Sequence, residues 1–195
     1  MARTKGTHRS EEIERVVAYV FARKGYRSTT MRDIARELGM HQSSLYHYFK
    51  SKEDILFKLM METLETGISE LEKICDRNDP PEEKLNKVFR FHTQHHTRSG
   101  DRNILLENEM NSLSIGRRRI VTDRMRHYVN LIRSIIIDLF KKQAIKDIHP
   151  TIATFAFFGM VNYMNKWYTP NGPVKPDRLV HMFTKILTKG LYREG

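Results

Sequence analysis

The feature that most constrains the fold is the spacing of apolar residues, which recur at intervals of three and four along almost the whole 195-residue chain. No stretch sustains the alternation of apolar and polar residues that is typical of a half-buried strand. Intervals of three and four place the apolar side chains of a segment on one face of a helix. The sequence therefore predicts an all-α protein, and its 39% hydrophobic content is sufficient for a buried core.

The predicted helices are separated by capping residues, glycines and prolines. Serine and threonine accept hydrogen bonds at a helix start, and glycine favours a helix end. Helices are predicted at residues 11–24 after Ser10, 31–38 after Thr30, and about 42–48 beyond Gly39. Further helices are predicted at residues 52–76, from the prolines of NDPPEEK to about residue 96, and, after a break at TRSGD, at residues 102–112, 117–142, 150–168 and 177–191.

The third predicted helix is short and polar. Leu45 and Phe49 lie four residues apart and anchor one side of it. The other sides keep hydrogen-bonding side chains, among them Gln42, Ser43 and Tyr46. A helix of two turns suits insertion of its N-terminal half into the major groove of DNA, where glutamine can bond to adenine. The alternative is a solvated surface helix that has no partner.

The segment around this helix has a distinctive pattern. The stretch TTMRDIARELGMHQSSLYHYFKSKEDIL, with the preceding helix and FARKGYRSTT, closely resembles the helix-turn-helix signature of the tetracycline-repressor (TetR) family of bacterial regulators. The resemblance covers residues 10–56 and implies a three-helix DNA-binding head, a long fourth helix and a variable ligand-binding body. The predicted domains are a flexible basic arm at 1–9, a helix-turn-helix DNA-binding domain at 10–55, and a ligand-binding and dimerisation domain at 56–195.

The resemblance also implies roles for single residues of the head. Arg32, Gln42, Ser43 and Tyr46 match positions near bases, and Thr30, His47, Tyr48 and Lys52 match positions at phosphates. Lys52 has an independent rationale, because Ser51 and Asp54 can form a capping box at a helix start, where free N–H groups favour a phosphate. The alternative is an ordinary capped helix with a solvated lysine. The family often has serine or threonine at the position of His41, so the role of His41 stays open.

The net charge agrees with a polyanionic partner but does not locate its site. The formal net charge is +11, and residues 1–55 contain 11 Lys/Arg against 7 Asp/Glu, which gives +4 there and leaves +7 for the remainder. Basic surfaces gain affinity for DNA by releasing counterions from phosphates. Because the excess positive charge is spread along the chain, it does not identify the element that binds DNA.

The helix predicted at residues 150–168 is apolar nearly all the way round, although a helix in a monomeric body of this size should have one polar face. We therefore expect one side to meet its own core and another to meet a second copy of the chain. The family resemblance implies the same four-helix homodimer interface, built from the last two helices of each subunit. Complete burial within one subunit is the alternative. The predicted interface residues are Phe157, Gly159, Leu179, Met182, Phe183 and Ile186.

The effector is predicted from the C-terminal sequence. The run GMVNYMNKWYTPNGPVKPDRLVHMFTKILTKGL resembles the ending of TetR-family members that respond to fatty acyl-CoA. The basic stretch GRRR at a helix start would favour an anionic group. The alternatives are core residues with a solvated charge run, or a regulator of efflux or detoxification that senses an aromatic or drug-like ligand. The predicted pocket residues are Phe89, Leu105, Met110, Arg118, Arg119, Met125, Tyr128 and Phe158.

Other functional classes have little support. The chain has no glycine-rich phosphate loop, G-x-S-x-G elbow or paired metal motif, so we expect neither an enzyme nor a cofactor. A recombinase head or a nucleoid protein would need catalytic residues or DNA-binding character along the body, whereas this body is apolar. The one cysteine, the lack of a signal peptide and the lack of an apolar run of membrane length predict a cytoplasmic protein without a membrane segment.

A histidine-rich segment, HTQHH, raises the question of a metal site. His92 and His96 lie four residues apart on one helix face, and His127 or Glu107 would have to supply a third ligand. The Cys/His spacing of a structural zinc site is absent, so solvated or pocket-lining histidines are the better interpretation. We therefore predict no metal, and the sequence does not determine the roles of His92, His95 and His96.

Overall fold

Eight α-helices and two short 3-10 turns make up the described part of the chain, in which no strand occurs, so the all-α prediction is confirmed. The structure, a computed structural model, describes residues 3–190, apart from the side chains of residues 3–11, 95–101 and 165. The α-helices are α1 Arg3–Lys24, α2 Met31–Glu37, α3 Gln42–Tyr48, α4 Lys52–Cys75, α5 Pro81–Asn108, α6 Ile115–Gln143, α7 Pro150–Tyr163 and α8 Pro176–Lys189, and the 3-10 turns are Met110–Ser112 and Met164–Lys166. Within residues 3–190, every helix is too short or too polar to cross a lipid bilayer.

Two predicted boundaries are wrong. Helix α1 begins at Arg3 and not at residue 11 as predicted, and the basic arm at residues 1–9 stays a prediction. The break expected at TRSGD does not occur, because α5 continues to Asn108 and includes most of the separate helix predicted at residues 102–112. Each segment contains one glycine and no proline, and a single glycine costs a helix only about 1 kcal/mol. That cost does not end a helix that is extended on both sides.

The chain divides into two compact units that do not coincide with a boundary at residue 55. The head unit contains the described residues up to Glu65 together with Asp101–Arg124, and the body unit contains Thr66–Gly100 and the described residues from Met125 onward. Three helices, α4, α5 and α6, therefore contribute residues to both units. The functional division at residue 55 stays a prediction.

The head unit is organised around the apolar faces that the helical periodicity predicted. Ile13, Val17 and Phe21 of α1 are buried, and the Phe21 ring packs edge-on against Tyr26 with the ring centroids 5.0 Å apart. From the other helices, the buried side chains include Ile34, Ala35, Leu45, Phe49, Ile55, Leu56, Leu59 and Met60. The three N-terminal helices thus share one core with the first turns of α4.

The body unit has a core of its own, rich in aromatic rings. Phe89 of α5 lies at its centre, with ring centroids 4.7 Å from Phe157 of α7 and 5.8 Å from Phe183 of α8. The remaining members are mainly aliphatic residues of α4, α6 and α8, including Leu71, Ile132, Ile136 and Leu179. The last two helices, α7 and α8, also pack against each other.

Candidate nucleic-acid interface and body core

Helix α3 is held to the head by two buried side chains and exposes the rest of its surface. Leu45 and Phe49 are buried, as predicted, while Tyr46 is 48% exposed and Tyr48 is 49% exposed. Ser43 and His47 are also exposed, and Gln42 is partly exposed. The helix therefore offers hydrogen-bonding side chains to solvent over most of its two turns.

The turn between α2 and α3 is fixed by backbone hydrogen bonds. The N–H of Met40 donates to Ala35 O at 2.9 Å and the N–H of Gly39 donates to Arg36 O at 3.1 Å, which is the Schellman arrangement of a helix end. Gly39 adopts a φ of 62°, a left-handed conformation that glycine reaches without steric cost. His41 precedes α3 and makes no side-chain capping bond. The sharp turn sets the angle at which α3 leaves α2.

Thr30 closes the start of α2 in a complete capping box. The Thr30 hydroxyl accepts from Asp33 N–H at 3.2 Å, and the Asp33 carboxylate accepts from Thr30 N–H at 2.9 Å and from the hydroxyl at 2.5 Å. These hydrogen bonds from Thr30 hold the pKa of Asp33 below its usual value. The hydroxyl proton is thus directed at Asp33, and the phosphate contact of Thr30 stays a prediction. Arg32 is exposed beside it.

Lys52 has partners that the sequence did not reveal. Its ammonium group donates to Tyr26 O at 2.8 Å, Thr29 O at 2.8 Å and Arg27 O at 3.3 Å, and it lies 4.4 Å from the centroid of the Tyr26 ring. An ammonium group has three N–H donors, so these three carbonyls use all of them. We therefore infer that Lys52 fastens α4 to the turn after α1. This role replaces the predicted contact of Lys52 with a phosphate.

The start of α4 is also tied to the start of α6, within the head unit. Glu53 accepts from Ser114 N–H at 2.9 Å, and this hydrogen bond lowers the pKa of Glu53. Arg117 donates to Asp54 at 2.7 Å and stacks over Phe57. The first arginine of GRRR is thus engaged by carboxylates of its own chain, a contact that the sequence analysis missed because its partners lie about sixty residues away.

Two carboxyl groups of the head unit share one site. Glu14 of α1 is buried and accepts from Lys58 Nζ at 2.8 Å. Arg102 lies 3.5 Å from Glu14 and 3.3 Å from Glu62. Desolvation, followed by hydrogen bonding to and repulsion by Glu14, raises the pKa of Glu62 to about 7. A proton on Glu62 would relieve the repulsion between the two carboxylates.

The residues predicted to line an effector pocket are divided between the two units. Leu105, Met110, Arg118 and Arg119 belong to the head unit, and Phe89, Met125, Tyr128 and Phe158 belong to the body unit. Phe89 and Leu105 are buried core residues. Arg118 donates to Asn111 Oδ1 at 3.3 Å, and Arg119 is exposed. The pocket formed by these eight residues stays a prediction.

A buried polar pair lies inside the body unit. Both ring nitrogens of His92 on α5 have partners: Nδ1 donates to Val88 O at 2.8 Å, and Nε2 lies 2.7 Å from the hydroxyl of Tyr128 on α6. Burial raises the pKa of Tyr128. Among the side chains that the structure describes, no group of three His, Cys, Asp or Glu residues could hold a metal ion, and those of His95 and His96 lie outside that set. Tyr128, a predicted pocket residue, thus has a partner in His92 that the spacing of the histidines does not suggest.

One face of α7 and α8 is apolar and exposed, and it includes only three of the six predicted interface residues, Gly159, Met182 and Ile186. Phe157, Leu179 and Phe183 are buried in the core of their own chain, so their assignment to the dimer interface is wrong. Phe155, two positions before Phe157 and hence on the opposite side of the helix, is 57% exposed, and Tyr163 is 66% exposed. The exposed apolar face consists of Ile152, Phe155, Gly159, Tyr163, Met182 and Ile186.

Two protein-family models together match most of the chain. A family model described as "Bacterial regulatory proteins, tetR family" matches residues 18–59, which include α2, α3 and the start of α4. A second, described as "Tetracyclin repressor-like, C-terminal domain", matches residues 78–191, which is more than half of the chain. The first match includes the exposed α3 surface, and the second includes helices α5 to α8.

Individual relatives match over nearly their whole length. The HTH-type transcriptional repressor KstR2 of Mycobacterium tuberculosis is 27% identical over 198 residues, covering 96% of this chain and 94% of the relative. The fatty acid metabolism regulator protein of Bacillus subtilis is 27% identical over 179 residues, covering 90% and 91% respectively. The crystal structure of AibR in complex with isovaleryl coenzyme A and operator DNA has a TM-score of 0.81 at 25% identity, covering 91% of this chain and 97% of AibR.

Proposed function

Since the chain belongs to the tetracycline-repressor (TetR) family of bacterial regulators, we propose that it is a repressor that binds a palindromic operator as a homodimer and is released by an acyl-CoA. The observation that carries the proposal is the geometry of α3, a short helix anchored by Leu45 and Phe49 with its polar side chains exposed. The proposal places the protein in the cytoplasm with its operator and gives it no catalytic activity.

Helix α3 has the dimensions of a recognition helix. Seven residues at about 1.5 Å each give a length that fits the width of a major groove. Gln42 and Ser43 stand at its N-terminal end, where side chains of recognition helices reach base edges. Exposed Tyr46, His47 and Tyr48 follow. We propose that Arg32, Gln42, Ser43 and Tyr46 read bases, and that His47 and Tyr48 contact phosphates.

The exposed face of α7 and α8 supplies the homodimer. An apolar face of this kind on a monomer would remain in contact with water, and its burial against a second copy is favourable by about 25 cal/mol for each Å² of apolar surface. Gly159 lies within this face and has no atom within 4 Å of the place of a Cβ, so a helix of the partner can approach its backbone closely. Two heads related by a two-fold axis would then read a palindrome.

An acyl-CoA is the effector that the relatives favour. AibR was crystallised with isovaleryl coenzyme A and operator DNA, and a Bacillus subtilis relative regulates fatty acid metabolism. In this chain the aromatic and aliphatic body core would take the acyl chain, and the exposed Arg119 with Arg118 would hold the anionic part. An aromatic or drug-like ligand is the second candidate.

We propose that α4 carries the effect of the effector to the DNA-binding head. Helix α4 is continuous from Lys52 to Cys75 and contains residues of both units. Its first turn is fastened to the head by Lys52 and, through Asp54, to Arg117. On this proposal a displacement of α4 accompanies effector binding, and an effector can release DNA to the extent that it binds the displaced arrangement more tightly.

The test is a titration of a fluorescent operator, followed by anisotropy. The duplex is selected from a random palindromic library by repeated rounds of binding, and the complex is titrated with long-chain acyl-CoA, free CoA and free fatty acid. We expect release by acyl-CoA and little release by free CoA. The double variant Arg118→Glu/Arg119→Glu should respond more weakly, whereas Lys141→Glu/Lys146→Glu, a matched charge reversal near the end of α6, should respond normally. Equal release by every compound, or release by uncharged aromatic ligands alone, would contradict the acyl-CoA proposal.

A further inference from the structure

One of the contacts between α4 and α6 in the body unit lies at a glycine of α4. Gly67 of α4 is buried, and a Cβ placed on it would lie 2.6 Å from Cε2 of the Tyr128 ring and 3.4 Å from Cζ. Carbon atoms do not approach to 2.6 Å without overlap, so any side chain at position 67 would displace the ring. The ring of Tyr128 therefore rests directly on the backbone of the helix that runs to the DNA-binding head.

The hydroxyl of Tyr128 is held by a hydrogen bond of defined direction. Nδ1 of His92 lies 2.8 Å from Val88 O, and because a carbonyl can only accept, Nδ1 must carry a proton. In the neutral imidazole Nε2 is then the acceptor, and Tyr128 donates to it at 2.7 Å. Burial raises the pKa of Tyr128, so the phenol keeps its proton at physiological pH. The hydroxyl is thus a hydrogen-bond donor inside the body core.

The surroundings of this pair are aromatic. The His92 ring packs edge-on against Phe157 with the ring centroids 4.9 Å apart, and the Tyr128 ring lies 6.2 Å from that of Phe158. In such surroundings a donor interacts strongly with an acceptor that reaches it, because water does not compete. The carbonyl oxygen of an acyl thioester is an acceptor of this kind.

We propose that Tyr128 is the positioning residue through which an effector displaces α4: the effector's carbonyl oxygen takes the hydrogen bond now given to His92, and the ring leaves Gly67. The inference rests on the proposed release of DNA by an acyl-CoA and names the side chain that transmits it. With the ring in place, α4 is held in the DNA-binding position. When the ring moves, the backbone of α4 at Gly67 loses its contact, and the head that is fastened to its first turn moves with it.

The first experiment measures operator affinity and acyl-CoA affinity of Gly67→Ala. The added methyl group should displace the ring without any effector, so operator affinity should fall by at least about fivefold, the low end of usual allosteric coupling. Because the same shift favours the effector-bound arrangement, acyl-CoA affinity should rise. The matched control is Gly116→Ala on α6, where a Cβ has no neighbour within 4 Å. A mere loss of stability would lower the melting temperature and would not strengthen acyl-CoA binding.

The second experiment removes the ring. In Gly67→Ala/Tyr128→Leu the overlap is gone, so the alanine should have no further effect on operator affinity beyond that of Tyr128→Leu alone. Tyr128→Phe keeps the ring at Gly67 and lacks only the hydroxyl, and it provides the test if Gly67→Ala does not fold. Its preference for an acyl-CoA thioester over the S-alkyl CoA thioether of equal chain length, which has no carbonyl, should fall to near unity.

The outcomes separate this inference from the proposed function. Wild-type operator affinity in Gly67→Ala, a parallel loss of operator and acyl-CoA binding, or an unchanged thioester preference in Tyr128→Phe would overturn the role of Tyr128. A wild-type complex that no acyl-CoA releases would contradict the proposed effector. In that case the operator affinities of Gly67→Ala and of the double variant still decide whether the Tyr128–Gly67 contact positions α4.

Discussion

The head and body units differ in how their polar groups are satisfied. In the head, short-range hydrogen bonds at Thr30, Gly39 and Ser51 define both ends of α2 and the start of α4, and Lys52 binds three carbonyls of one turn. In the body, helices meet through a continuous apolar core that encloses the His92–Tyr128 pair. The head is thus built to hold one geometry for a defined partner. The body is built from packing surfaces, of which one, on α7 and α8, is exposed in the single chain and another contains the hydrogen bond that we propose an effector exchanges.

The largest effect is expected at the uncovered face of the body. Phe155→Glu places a charge where two subunits should meet, and the unpaired buried charge should prevent dimerisation. Because each head alone binds weakly, operator affinity should fall by at least about a hundredfold. Light scattering reports the mass and anisotropy reports the affinity. Ile148→Glu, an exposed isoleucine before α7, is the control and should remain dimeric. A wild-type chain that is monomeric at micromolar concentration would contradict this interface.

A smaller effect is expected at Lys52 in the head. Lys52→Ala leaves three carbonyls of the α1–α2 turn without their charged donor, which should destabilise the head by about 2 kcal/mol and weaken binding to specific and nonspecific DNA alike. The dependence of log affinity on log salt concentration separates the two roles of the lysine. If Lys52 held a phosphate, the slope would fall by about 1, whereas the observed contacts predict an unchanged slope. Lys50→Ala is the neighbouring control.

An effect confined to the operator is expected at Gln42. Removing a side chain that bonds to one base should lower operator affinity by about 1–3 kcal/mol and leave nonspecific binding nearly unchanged. Mobility shifts on the selected operator and on a scrambled duplex give the two affinities. An equal loss on both duplexes would show that α3 does not read bases through Gln42.

The smallest effect concerns the pH dependence of the head. Because the pKa of Glu62 is raised from 4.5 to about 7, the folded head holds a proton that the unfolded chain releases, and the resulting stabilisation is present below about pH 4.5 and lost as pH rises through 7. Between roughly pH 5 and 8, the free energy of unfolding in urea should fall by about 1 kcal/mol more for wild type than for Glu62→Gln. This value allows for solvent screening, because the Glu62 side chain is partly exposed. Glu65→Gln, on the exposed side of α4, should keep the wild-type pH dependence.

The head could be predicted from sequence because its determinants are local. The capping box of Thr30 and Asp33, the glycine after α2 and the anchors Leu45 and Phe49 all lie within a few residues of the elements that they define. The contacts of Lys52 cannot be predicted from sequence, for the opposite reason. Its partners are backbone carbonyls more than twenty residues earlier, and backbone atoms leave no signal in the side-chain pattern.

The body is predicted less completely from sequence, in part because its helix α7 is apolar on several sides. The all-round apolar character of α7 agrees with one buried and one exposed apolar face, but the same uniformity leaves the inward face undetermined. The sequence therefore predicts Phe157 at the interface and does not single out Phe155. The contact between Gly67 and Tyr128 and the pair formed with His92 join residues on three different helices. Such contacts depend on the packing of helices, which periodicity within one helix does not specify.

The most direct test of the account is the mass of the operator complex, measured by sedimentation with and without a long-chain acyl-CoA. The account predicts two chains for each palindromic operator, a complex that dissociates on addition of acyl-CoA into free DNA and an effector-bound dimer, and no dissociation with free CoA. One chain for each operator, or a complex whose mass is unchanged by every acyl-CoA from acetyl to oleoyl, would contradict it.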